Sequence, residues 1–151
     1  MRQSISYYLK EASEQGNEKD AMDYLRKCPI GQEILRTVFR LAYDPIVKWA
    51  LPEGTPPYKP CEFDNEGALY GELRRMYLFM EGGNTNLTPL KREKLFVDVL
   101  EYVDPSDAKL LCALKDGDIP YKNINKRMAN KLFPGQFPTS EVKETEELTQ
   151  E

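Results

Sequence analysis

The chain contains no histidine. That removes Ser-His-Asp and Cys-His nucleophile–base pairs, histidine-ligated zinc and any imidazole acid–base catalyst. Its three cysteines, Cys28, Cys61 and Cys112, are widely spaced and form no CxxC, which excludes a zinc ribbon or a thioredoxin-like motif. Scattered thiols fit a reducing compartment, where cysteine serves as a small buried hydrophobe. No apolar run approaches the ~18 residues of a membrane span. The opening stretch MRQSISYYLKEASEQG is polar and amphipathic and lacks the apolar core of a signal peptide. These absences lead us to expect a soluble cytoplasmic protein (the host cytoplasm if the chain is viral) with no membrane partner. An excess of base is missing too. The 25 acidic residues outnumber the 21 basic ones, which excludes a polybasic coat for nucleic acid but leaves room for a local basic patch.

At 151 residues, 40% of them apolar, the chain is long enough for one domain with a real core. Its acidity is unevenly spread. From Pro138 to Glu151 five glutamates stand against one lysine, which accounts for the whole net charge of −4 and leaves residues 1–137 balanced. A stretch so poor in apolar groups cannot offset the entropy of ordering. The expected organisation is therefore a folded domain over 1–138 and a disordered acidic tail over 139–151.

Helix punctuation runs through the domain. Ser4 can cap a first helix that Gly16 stops, and Asn17 a second that Pro29 ends. Ala21, Tyr24, Leu25 and Cys28 fall on one helical face, as do Leu35, Val38, Phe39 and Ala42 further on. Asp44-Pro45 and Asp104-Pro105 share one form, a capping residue followed by proline at the first helical position, and Thr88-Pro89 restarts the chain between them. A helix is predicted from about Glu66 to Glu81 on the stripe Leu69, Leu73, Met76, Tyr77 and Met80, ended by Gly82-Gly83. Another carries Phe96, Val99, Leu100 and Val103, and the next carries Leu110, Leu111 and Leu114, with Gly117 just past its end. A last helix is predicted from Asn123, as cap, to Leu132. Between Pro52 and Asp64 four prolines exclude helix and central strand. That segment either wraps the core through Tyr58 and Phe63 or carries function. No segment keeps a period of two. The expected fold is all-α, a single globular domain of about seven or eight helices in an irregular bundle, with a Pro-rich loop.

Little in this pattern is catalytic. Lys115-Asp116-Gly117-Asp118 has the wrong order for the K-x-D-G lysine of nucleotidyl transfer and reads better as a helix C-terminus. Gly82-Gly83 lacks the Gly-Lys-Ser/Thr that cradles phosphate. No catalytic residue, metal or cofactor is assigned. The one chemically biased stretch runs from Ile119 to Phe137, with Lys122, Lys126, Arg127 and Lys131 and no acid, and with Asn123, Asn125 and Asn130 interspersed. Lysines offer point charges to phosphates, and asparagines and helix N-termini add directional donors. The plainer reading is a solvated helix face.

The same stretch carries a resemblance. Met128 to Pro138, MANKLFPGQFP, resembles the end of the N-terminal DNA-binding domain of ATP-dependent DNA ligases, particularly those of T-even-type phages, on the block Asn130-Lys131-Leu132-Phe133-Pro134-Gly135. Ile34 to Pro52, ILRTVFRLAYDPIVKWALP, resembles the ligase segment in which a Leu-x-x-Val-Tyr/Phe-x-Leu-x-Tyr helix precedes an aromatic-basic stretch. The chain also looks like small proteins encoded by T-even-like phages, including those of cyanobacteria. The ligase resemblance implies an all-helical domain that grips double-stranded DNA across the minor groove through its backbone. It brings no ligation, since it covers about residues 17–138 and no adenylation domain.

Two functions follow as expectations. In the first the protein is a non-enzymatic DNA-binding accessory protein. Lys122, Lys126, Arg127 and Lys131 neutralise phosphates, Asn123, Asn125 and Asn130 donate hydrogen bonds, and Arg36 and Arg40, one helical turn apart, extend the patch. Contact is weak and without sequence preference. In the second the scaffold has lost DNA contact and is an adaptor for a phage or host replication or transcription protein, docked through the Pro-rich loop or the tail. Oligomeric state is not legible from the residues.

Overall fold

The computed structural model describes residues 3–137, so the expectations for the tail lie outside it. Among the described residues the fold is all-α with no strand. In chain order it comprises α1 (Ile5–Ser13), α2 (Glu18–Lys27), α3 (Gln32–Tyr43), α4 (Ala68–Glu72), a 3-10 helix (Leu73–Phe79), α5 (Pro89–Tyr102), α6 (Pro105–Lys115) and α7 (Lys126–Leu132).

Local chemistry sets most of these boundaries. Ser4 Oγ accepts from the Tyr7 N–H at the start of α1, and Asn17 Oδ1 accepts from the Asp20 N–H at the start of α2. Thr88 and Asp104 cap α5 and α6 from positions directly before Pro89 and Pro105. Gly117, at φ 82°, takes the left-handed turn just beyond α6.

Three boundaries differ from the sequence pattern. Asp44-Pro45 starts no helix. The Asp44 N–H still bonds to the Arg40 carbonyl, and its carboxylate accepts from the Ile46 N–H at 2.9 Å, closing a turn. The chain then folds back on α3, with Trp49 Nε1 donating to the Leu41 carbonyl at 3.0 Å and Trp49 bridging to Met80. The long helix expected from Glu66 to Glu81 is also absent. After the short α4 the backbone tightens to three residues per turn, which aligns Leu73, Met76 and Phe79 in one buried row. The same winding turns Tyr77 outward and frees Met80 for its bridge. Gly83 closes this turn where no side chain fits, since a Cβ there would lie 1.8 Å from the Tyr77 carbonyl oxygen. Last, Asn123 does not cap α7. It sits at φ 68°, and Asn125 is the cap, accepting from the Met128 N–H at 2.9 Å.

α6 lies at the centre. It packs against α1, α3 and α5, while α2 packs on α1, and α7 packs on α2 and α3. Its buried residues include Ala108, Leu110, Leu111, Cys112 and Leu114, an apolar surface on more than one side, as a central helix requires. Cys112 is buried, Cys28 and Cys61 are half-buried, and all three are free thiols. Phe133 lies against Phe39 and Phe137, so the block Asn130–Gly135 is a helix end anchored in the core.

A polar cluster joins α1 to α6. Asp107 Oδ1 accepts from the Ser6 N–H at 2.9 Å, Ser6 Oγ donates to Ser106 Oγ at 2.6 Å, and Ser106 Oγ donates to Asp104 Oδ2 at 2.6 Å. Asp107 Oδ2 is buried with no hydrogen-bond partner among the described residues. Burial pushes the Asp107 carboxyl up to about 6.

The Pro-rich segment wraps the core and lies alongside α5. Tyr58 is half-buried against the core, whereas Phe63, expected to pack with it, is 69% exposed. The buried Lys115 ammonium donates to the Pro52 carbonyl at 2.6 Å and to Asp116 at 2.8 Å. Asp116 in turn accepts from the Gly54 N–H at 3.2 Å. Lys115, which the sequence places simply at a helix end, is therefore the tie between that end and the loop. Further along, the Lys59 N–H bonds to Glu101 and the Asn65 amide to the Tyr102 carbonyl, fixing the loop to the C-terminal end of α5.

Candidate nucleic-acid interface

Arg127 and Lys131 stand one turn apart on α7, and the opposite side of that helix buries Met128 and Ala129. This amphipathic split directs both cations away from the core. They meet Glu18, the first residue of α2. Arg127 Nη2 lies 2.9 Å from one Glu18 oxygen and Lys131 Nζ lies 3.1 Å from the other. Hydrogen bonds from Lys131 and Arg127 hold the Glu18 carboxyl below its ordinary range.

α2 adds bases of its own. Lys19, Arg26 and Lys131 line one shallow groove of about 420 Å³ together with Glu18, Met22 and Asp23. Arg26 pairs with Asp23 at 3.3 Å. Counting Arg127 at its edge, the groove has four cations against two carboxylates. Glu18 cannot neutralise both of its partners. Arg127 keeps 71% and Lys131 53% of its side chain exposed, so both cations stay within reach of a polyanion.

The other expected contacts are placed differently. Lys122 is exposed, but it lies in the turn before α7, so Lys122 and Lys126 are not neighbours on one helix face. The i, i+4 pair is Arg127 and Lys131. The Asn123 amide nitrogen is buried with no partner among the described residues, so it does not offer its donor at the surface. Asn125 commits its side-chain oxygen to the cap, and Asn130 is half-buried. Arg36 is exposed on α3, and Arg40 pairs with Asp44 at 3.4 Å. Lys19, Arg26 and Glu18 escape a reading of the sequence. The spacing of Lys19 and Arg26 marks a common face of α2, but only the packing of α7 on α2 shows that they join the C-terminal bases.

Fold and surface together define an all-α single-domain protein with a cationic groove between two helices. The chain belongs to a family of unknown function, DUF6433, whose model matches residues 8–121. No curated protein and no solved structure matches it. The matched residues include α2 and the whole Pro-rich segment and end one residue before Lys122.

Proposed function

We propose that the protein is a non-enzymatic DNA-binding accessory protein that contacts the backbone of double-stranded DNA weakly and without sequence preference. The observation that carries this reading is the joining of α7 to α2, which gathers Lys19, Arg26, Arg127 and Lys131 around one groove with an excess of two positive charges. Lys122, exposed in the turn leading into α7, adds to the same side of the charge balance. Phosphates would displace Glu18 from Arg127 and Lys131, an exchange of one anion for another on pairs that hold weakly at a protein surface. The likeness of Asn130–Gly135 to the closing helix of ligase DNA-binding domains supports the reading from the sequence side.

Anisotropy of a labelled duplex, titrated at several salt concentrations, tests it. If the four groove cations each meet a phosphate, log K falls against log salt with a slope of roughly −3.6, and Kd at moderate salt lies at about 1–100 μM. Absence of binding at low salt up to about 100 μM would refute the proposal. An adaptor role for the same scaffold is favoured by a separate surface, the seam between the Pro-rich segment and α5.

A further inference from the structure

We propose that the seam between the Pro-rich segment and α5 is a docking site for an extended apolar peptide bearing lysine or arginine. This inference does not rest on the DNA reading, and it uses other residues.

The loop runs parallel to α5 and leaves a hollow at each end of the helix. The first, of about 370 Å³, is walled by Pro56, Pro57, Leu90 and Val97 and floored by Phe96. The second, of about 360 Å³, has Phe63 and Tyr102 at its rim. Leu90 is 78% exposed, Phe63 69% and Tyr102 55%, so three of the molecule's large exposed apolar side chains border the two hollows. From Leu90 to Tyr102 the helix rises about 18 Å. An extended peptide covers that distance with about five or six residues, and alternate side chains would reach the same face. The two hollows would take its apolar side chains.

The seam is rigid before anything binds. Phe96 is held edge-on to Trp49 and Phe79, at centroid distances of 6.2 and 5.3 Å. Lys115 and Asp116 fasten the loop at Pro52 and Gly54, and Glu101 fastens it at Lys59. A peptide landing there orders itself and not the protein, which reduces the entropy lost on binding.

Charge selects the partner. Glu53, Glu62, Glu93 and Glu101 line the two hollows. Against them stand Lys59 and Lys94, since Lys115 is already matched by Asp116. The rim is thus net negative where the α2–α7 groove is net positive. Duplex DNA and acidic peptides are repelled from the seam, and a peptide with one or two cations beside its apolar residues is drawn to it.

Selection from a random peptide library against the full chain tests the proposal without presuming a sequence. Enriched peptides should combine apolar residues with lysine or arginine. They should lose about tenfold in affinity on Glu93→Lys and on Leu90→Ser, both in the α5 wall of the first hollow and outside the buried core, while thermal melting stays unchanged. Binding should persist in the presence of saturating duplex DNA. Failure to enrich, enrichment of acidic peptides, equal binding to both variants, or competition by the duplex would each overturn the assignment. So would a dimer in solution that Leu90→Ser dissociates, because a second copy would then be the occupant.

Discussion

Asp107 is buried beside Asp104, and one of its oxygens has no hydrogen-bond partner among the described residues. Its carboxyl titrates near 6, above the ordinary 3.8, so between those values the folded chain holds a proton that the unfolded chain has released. Stability from this group is therefore complete at low pH and is lost as pH rises through about 6, a difference on the order of 3 kcal/mol. Asp107→Asn keeps the acceptor for Ser6 and removes the buried charge. The variant should be more stable than the parent by roughly 1–3 kcal/mol at about pH 8, with the difference shrinking towards about pH 4, read from urea melts across that range. Glu18 shows the opposite behaviour, a carboxylate kept ionised by two cations. Glu18→Gln should tighten duplex binding about two- to fivefold at low salt by freeing Arg127 and Lys131, with little change in melting temperature. Weaker binding, or none of this gain, would mean that those cations do not meet the phosphates.

At the scale of elements, the first part of the Pro-rich segment is held through Lys115 and its partner Asp116, as its later part is through Glu101. Lys115→Met removes the donor to the Pro52 carbonyl and leaves Asp116 with the Gly54 N–H alone. It should lower stability by roughly 1–3 kcal/mol, with faster hydrogen exchange concentrated at residues 53–59. If the loss of protection were spread evenly through α6 instead, the tie would not be local. Elements were legible where the determinants are adjacent in the chain. Ser4, Asn17 and Asp104 cap as expected, because a cap needs only its own side chain and the amides that follow. Asp44 has the same local grammar and fails, because Trp49 finds its partner in the Leu41 carbonyl and its bridge in Met80, contacts to α3 and to the end of the 3-10 helix. The stripe from Leu69 to Met80 fits the period of an α-helix. Leu73, Met76 and Phe79 also satisfy a period of three, and packing against Phe96 chose it.

For the molecule as a whole, all-α architecture follows from the absence of any period-two segment, and the structure bears it out. The site was legible only by half. The C-terminal bases were readable as a cluster, but their meeting with Glu18 spans more than a hundred residues of chain and leaves no local trace. Nor does sequence show that the bases of α2 and the glutamates around α5 fall on surfaces separated in the packing order by α1, α3 and α6. That separation sets surfaces of opposite sign apart on one small domain. Trp49 adds a practical consequence. It is the only tryptophan in the chain, and it stands edge-on to Phe96 at the floor of the first hollow. The protein's intrinsic fluorescence is thus a label already installed beneath the seam, whose emission would report an arriving occupant with no dye attached.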